Sequence, residues 1–266
     1  MAHTWSHDLV DYECHDRVAV LTLSRPEKLN AFSDDLVRHL AQALRRMDAD
    51  PEAYVGIIRG KGRAFSSGAD VWQRQLRSRE ELERLGGPQG DGAHGLDLLT
   101  KSVNWKPVVA AAHGYVLGMA VGLALECELV VAEAGTKFQI TETSRGLGSS
   151  KYWALLNFRG AAAFGTEVSL TGRYFSAEEA FEAGLINRVA PPGRLMETAH
   201  ELADAMAANP PLSVRAIVRT RRWAIEKMER AAEMQVAALK LHLTEDFREA
   251  ALANREKRPP APFKGH

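Results

Sequence analysis

The stretch from Pro107 to Leu129, PVVAAAHGYVLGMAVGLALECEL, sets the strongest limit on how this chain can fold. Val108 to Ala112 is a short apolar run behind a proline, the pattern of a buried strand. His113-Gly114 marks a turn. Beyond Tyr115 the apolar run resumes with small residues at helical spacing, Gly118 and Gly122 among them, and reads as a tightly packed helix. A buried strand, a glycine turn and a buried helix start together offer a place for an anion, because the first N–H groups of a helix have no internal partner. Two plainer readings compete. Val108 to Leu125 carries no Asp, Glu, Lys or Arg and approaches the length of a membrane span. Glu126 and Glu128 follow at once, however, and the chain lacks a second such run. The other plain reading is a core helix with no site.

The 266 residues are 45% apolar and 26% charged, the balance of a soluble globular protein built as one large domain or a domain with a small appendage. Lys plus Arg and Asp plus Glu are 34 each, so no net charge recommends a nucleic-acid or anionic-membrane partner. Cys14 and Cys127 are far apart and show neither metal-ligand spacing nor a disulfide framework. The first residues lack the basic and apolar regions of a signal peptide, so a reducing cytoplasm is expected.

Along the chain, Leu9–Cys14 and Asp16–Leu23 read as the two arms of a hairpin. Ser33 caps a helix whose apolar face is Leu36, Val37, Leu40, Ala43, Leu44 and Met47. Tyr54–Arg59 is a second buried strand. Val71–Thr100 is charged early (Arg74, Arg77, Arg79, Glu80, Glu81, Glu83, Arg84) and glycine-rich later, so it reads as a solvated helix and loop or as a lid over a pocket. Leu129–Ala132 is a third strand. Tyr152–Phe158, Ala161–Leu170, Ala177–Ala183 and Arg194–Ala208 are helical, and long helices are expected over Ser213–Leu243 and Thr244–Arg255. Strands with helices come first and helices alone come last. The expected architecture is an α/β core over 1–208 with a C-terminal helical region over 209–266, the break falling at Asn209-Pro210-Pro211.

Two segments share one design of strand, glycine-containing turn and helix start: Phe65–Asp70 and Gly114–Met119. Neither is a P-loop or a dinucleotide fingerprint. What they offer is backbone N–H groups, and two convergent N–H groups stabilise a developing oxyanion.

Arg25-Pro26-Glu27-Lys28-Leu29-Asn30-Ala31, Phe65-Ser66-Ser67-Gly68-Ala69-Asp70, His113-Gly114-Tyr115-Val116-Leu117-Gly118, Leu170-Thr171-Gly172 and Ala183-Gly184-Leu185-Ile186-Asn187 together resemble the crotonase superfamily, the enoyl-CoA hydratase/isomerase family, in order and spacing. The likeness runs from about Val10 to Arg255, and the tail Ala261–His266 is similar too. The resemblance implies a spiral of ββα units, a homotrimer or a hexamer made of two trimers, and an acyl-CoA substrate with no cofactor beyond the coenzyme A it carries. It implies an oxyanion hole at the N–H groups of Ala69 and Met119, beside Gly118, that polarises the thioester carbonyl and stabilises an enolate. It implies coenzyme A contacts along Lys28, Leu29 and Ala31, at Ser67, Gly68 and Asp70, and at Phe263 and Lys264 against the nucleotide of a neighbouring subunit. Plain readings stand beside these: Lys28 and Lys264 as solvated lysines, and Asp70 as a helix cap.

Hydratases of this family hold one water between two glutamates. The position of the first is Gly122 here, which has no side chain for acid–base work. The second maps to Glu142. Glu126, one turn beyond Gly122, reads as a buried or interface ion-pair residue, and Glu128 as structural. A salt bridge from Arg145 to Glu142 is the competing structural reading, and it would lower the carboxyl pKa. After Gly146 the chain departs from the family's Pro-Gly-rich loop, and Ser149, Lys151 and Tyr152 read as capping and surface residues in preference to pocket groups. Moving a double bond needs one base that serves two carbons plus the oxyanion hole, so isomerisation with Glu142 alone is the expected reaction. Hydration, hydrolysis or C–C cleavage on the same scaffold, and a catalytically silent acyl-CoA-binding subunit, are the alternatives.

Overall fold

A computed structural model describes residues 3–87 and 105–266. The later part of the segment expected to form a lid, residues 88–100, lies outside these. Strands β1 (His3–His7), β2 (Val10–His15) and β3 (Val18–Leu23) form an antiparallel meander. Its second turn is Asp16-Arg17, both with positive φ, the geometry that matches the twist of a two-residue hairpin. From β3 the sheet continues in parallel through β4 (Val55–Gly60), β5 (Val108–Ala112), β7 (Leu129–Glu133) and β10 (Arg188–Ala190).

A smaller sheet joins β6 (Tyr115–Leu117), β8 (Lys137–Gln139) and β9 (Tyr174–Ser176). The chain therefore alternates between sheets before it enters a helix. β5 and β6 lead into α3 (Met119–Glu126), and β7 and β8 lead toward α4 (Ser150–Phe158) and α5 (Ala162–Thr171). That alternation is the expected ββα repeat. β6 corrects the sequence reading, which put only a turn between Ala112 and the helix. Three residues are too few to show a period, and the parallel partner that makes them a strand lies 22 residues on.

The large sheet is covered on both faces, which is why its parallel strands are almost continuously apolar. On β5, Val108, Ala110 and Ala112 enter the larger core with Leu36, Leu40 and Leu44 of α1 (Asp34–Ala49). Val109 and Ala111 face Ala199 and Ala203 of α7 (Leu195–Ala207). All six expected apolar positions of α1 are buried, and Ser33 caps it by accepting from the Leu36 N–H at 3.1 Å. Cys14 and Cys127 are free and buried.

α2 (Arg79–Leu85), α6 (Ala177–Glu182), α8 (Pro211–Val236) and α9 (Glu245–Glu256) complete the described helices. α8 is shorter than the helix expected over Ser213–Leu243. Its end gives way to two 3-10 turns, Ala237–Leu239 and Leu241–Leu243, hinged at Lys240 in the left-handed region. The residues after Val236 are good helix formers without a proline or glycine, so propensity favoured continuation and tertiary packing overrode it.

Glu128 ties α8 to the sheet. Its carboxylate takes both arms of Arg222, at 3.0 and 2.9 Å, and accepts the Val108 N–H at 2.8 Å. Arg222 is 1% exposed, so removing the opposing charge leaves a cation in a poorly solvated place. Glu128→Gln should cost about 3 kcal/mol of stability, read as a lower urea midpoint; an unchanged midpoint would remove this pair from the account of the fold.

Candidate active site

Asn30 organises the first wall of the site. It is fully buried with a positive φ, donates through Nδ2 to the carbonyls of Lys61 and Ala64 at 2.9 Å each, and accepts the Arg25 N–H. These bonds fold Lys28, Leu29 and Ala31 against the Phe65–Asp70 segment, where the Ser67 N–H reaches the Leu29 carbonyl at 2.9 Å. Lys28, Leu29, Ala31, Ser67, Gly68 and Asp70 thus lie together along one rim beside Ala69, though none of them lines the cavity that Ala69 reaches. Asp70 also caps the next turn, accepting from the N–H groups of Trp72 and Gln73, while its other oxygen takes Arg25 at 2.7 Å. The capping and rim positions coexist in one side chain.

Ala69 is presented by strand geometry. Phe32 donates to the Gly68 carbonyl and accepts from the Asp70 N–H, so the N–H of Ala69 faces the opposite way. On that side Ser66 is bonded to Tyr115 and Leu117, which bring the Gly118 turn alongside. A Cβ on Gly68 would stand 2.5 Å from the Leu117 carbonyl oxygen and 3.6 Å from the Met119 nitrogen. Gly118 has φ +49 and ψ −118, reachable only without a side chain, and caps α3 so that Met119 is its first residue. Among the described residues neither the Ala69 nor the Met119 N–H has a hydrogen-bond acceptor.

Ala69, Met119 and Glu142 line one cavity of about 310 Å³ together with Tyr152. Glu142 is half-buried as a residue, but its carboxylate is enclosed, and Oε2 has no partner among the described residues. Burial raises its pKa above the usual carboxylate range. The nearby Tyr152 hydroxyl and the backbone N–H groups of Glu142 and Thr141 oppose that shift. Arg145 contributes less than any of these and forms no ion pair with Glu142 among the described residues, so the salt-bridge alternative gives way to Tyr152.

Tyr152 and Lys151 correct the sequence reading, which placed them at the surface. Both are buried and both line the cavity, with Lys151 against Glu233 at 3.1 Å. They begin α4, and only the docking of α8 on α4 makes that first turn interior. Arg74 was missed as well. Inside a run of charges it reads as solvated, yet it is enclosed and lines the same cavity. It sits on a π-helical turn, Val71–Gln75, whose wider ring redirects side chains relative to an α-helix. The only available signal was the cap at Asp70 ahead of it. Val236, Ala237, Lys240, Leu241 and His242 complete the far wall.

Glu126 is fully buried on α3 and does not line this cavity. Phe263 and Lys264 are on the exposed tail, and the Lys264 and Gly265 N–H groups bond to Asp246 of α9 at 2.8 Å each. Within one chain they are not brought to the cavity. Among the described residues no cluster of His, Cys, Asp and Glu suits a metal, and no described helix is long and apolar enough to cross a membrane.

Two glycine-turned helix or turn starts aimed into one cavity, beside an enclosed carboxylate, define a site able to polarise a carbonyl and move a proton next to it. The sequence model of the enoyl-CoA hydratase/isomerase family matches residues 13–266, and the chain belongs to that family. It is 33% identical over 252 residues to the mevalonyl-coenzyme A hydratase sidH of Aspergillus fumigatus, covering 91% of this chain and 90% of that one. It is 32% identical over 257 residues to the enoyl-CoA hydratase EchA19 of Mycobacterium tuberculosis, covering 91% of each. A solved enoyl-CoA hydratase/isomerase from Mycobacterium paratuberculosis superposes with a TM-score of 0.79 at 26% identity, over 92% of this chain and 99% of that one. The fold is thus the crotonase fold expected from the motifs.

Proposed function

We propose that this enzyme shifts the double bond of an enoyl-CoA through a thioester enolate, with Glu142 as its acid–base group. The observation that carries this reading is the convergence of the Ala69 and Met119 N–H groups and the Glu142 carboxylate on one cavity. The thioester oxygen would lie against the two N–H groups. Glu142 would take a proton from the α carbon of a 3-enoyl-CoA, the electron pair would spread into a dienolate held by the hole, and the same proton would return at the γ carbon. Preorganised donors stabilise that charge without reorganising as it develops. The rim formed by Lys28, Leu29, Ala31, Ser67, Gly68 and Asp70 is the proposed path of the coenzyme A arm. Phe263 and Lys264 are proposed to meet its nucleotide only across a subunit boundary in a trimer or hexamer.

One observation favours hydration as the second reading. The Tyr152 hydroxyl shares the cavity with Glu142 and could hold a water that Gly122 cannot. Following isomerisation of a 3-enoyl-CoA and hydration of a 2-enoyl-CoA separately decides between them. Isomerisation is expected to dominate, and efficient hydration would overturn the single-carboxylate mechanism. Binding of both thioesters without turnover would instead identify a silent acyl-CoA-binding subunit.

Tyr152→Phe gives a prediction with a definite sign. The hydroxyl lowers the Glu142 pKa, so its loss lets burial raise that pKa further. Glu142 acts as the ionised base, and activity falls as pH drops through its pKa. The acid limb of the kcat profile should therefore move to higher pH in the variant. A limb that stays in place or moves down would separate Tyr152 from the titration of Glu142.

A further inference from the structure

An ion pair forms part of the cavity wall, and proton transfer at the α carbon has no use for it. Lys151 stands in the first turn of α4, directly before Tyr152, and its Nζ meets Glu233 Oε1 of α8 at 3.1 Å. Both residues line the cavity that holds Ala69, Met119 and Glu142. The two charges are placed unequally. The Lys151 side chain is 8% exposed, whereas that of Glu233 is 46% exposed, so the carboxylate keeps much of its hydration.

An acyl group that fills the cavity displaces water from this wall. Against a plain alkyl chain the carboxylate loses hydration and gains no hydrogen bond in return, the costly way to cover a charge. Its bond to Lys151 is already made and does not offset that loss. The pair as a whole is neutral, so it gives a charged group no net attraction. It does present an ammonium donor and a carboxylate acceptor side by side. A hydroxyl suits both, because its oxygen accepts from the ammonium while its proton is donated to the carboxylate.

Chain order sets where that hydroxyl lies. Tyr152 and Glu142 line the same cavity, and Glu142 is the group assigned to the α proton. Consecutive helical residues point about 100° apart, so Lys151 serves a part of the acyl chain beside the reacting carbons and not those carbons themselves. We infer that the acyl group selected by this cavity carries a hydroxyl beyond its β carbon, and that the Lys151–Glu233 pair receives it. The inference rests on the acyl-CoA reading of the cavity given above. Lys151 and Glu233 are then specificity residues and take no part in moving the proton. A site that hydrogen-bonds a substrate hydroxyl rejects the analogue without it far more strongly than an apolar pocket rejects an added one.

Calorimetric titration of the full-length protein with two matched pairs of thioesters tests this without turnover: butyryl-CoA against 4-hydroxybutyryl-CoA, and pentanoyl-CoA against 5-hydroxypentanoyl-CoA. In at least one pair the hydroxylated thioester should bind about ten-fold more tightly, as expected for a hydrogen bond to a charged group. The double variant Lys151→Met with Glu233→Leu replaces the pair by apolar side chains, and there the preference should vanish or invert. Alkyl thioesters that bind the wild-type protein as tightly as their hydroxylated partners would overturn the inference, whether or not the double variant folds. A preference that survives in the double variant would overturn the role of the pair. Failure of all four thioesters to bind would overturn the acyl-CoA reading itself, an outcome distinct from tight binding without selectivity.

Discussion

Glu142→Gln should lower turnover of a 3-enoyl-CoA by about 10²- to 10⁴-fold, the usual loss when a single general acid–base group is removed. The amide keeps the volume of the carboxyl, so the cavity should retain its shape. What it loses is the proton carrier. The other described carboxylate lining this cavity is Glu233, which is engaged by Lys151 at 3.1 Å. Butyryl-CoA should bind the variant nearly as well as the wild type, because the raised pKa of Glu142 already marks a group whose charge is poorly solvated. Exchange of the α protons of butyryl-CoA in heavy water supplies a second readout that is independent of where the double bond ends. Loss of both turnover and exchange with binding intact is the expected result. Unchanged turnover would remove Glu142 from the mechanism.

Gly118→Ala should be nearly as damaging for a different reason. At φ +49 and ψ −118 a side chain is strained, and the new Cβ would stand 2.6 Å from Thr141 Oγ1 and 3.1 Å from Glu142 Oε1. Relief requires the turn to move, and the turn carries the Met119 N–H. Removing one oxyanion-hole donor costs about 10² to 10³ in kcat, and here the acid–base carboxylate is displaced by the same methyl. The variant should fold, since the Gly118 N–H remains bonded to the Gln139 carbonyl at 2.8 Å, but kcat should fall far more than substrate affinity. Equal losses in both would indicate a collapsed cavity in place of a misplaced donor.

Gly118 also shows how much was legible beforehand. Local patterning placed β5 and the start of α1 within a residue or two, because each has a single buried face or is buried all round. The motif likeness then assigned Ala69, Met119 and Glu142 to one site, and all three line one cavity. The residues that escaped share a physical cause. Tyr152, Lys151 and Arg74 are polar groups whose burial depends on elements far away in the chain. Nothing local distinguishes a lysine that will meet Glu233 from one that will meet water. The end of α8 escaped similarly, since the turn at Lys240 contradicts the propensity of the residues around it.

By itself, the sequence determined the alternation of buried strands with helices and the two glycine turns, because hydrophobic period and glycine conformation are local properties, while the ββα repeat, the two N–H groups and the place of Glu142 came from the likeness of its motifs to the family. Only the tertiary structure decided what surrounds that carboxylate. The docking of α8 on α4 turns Tyr152 inward onto Glu142, and the π-helical turn after Asp70 carries Arg74 against Met119. Burial and electrostatic environment are sums over the whole fold, and no window of the chain contains them.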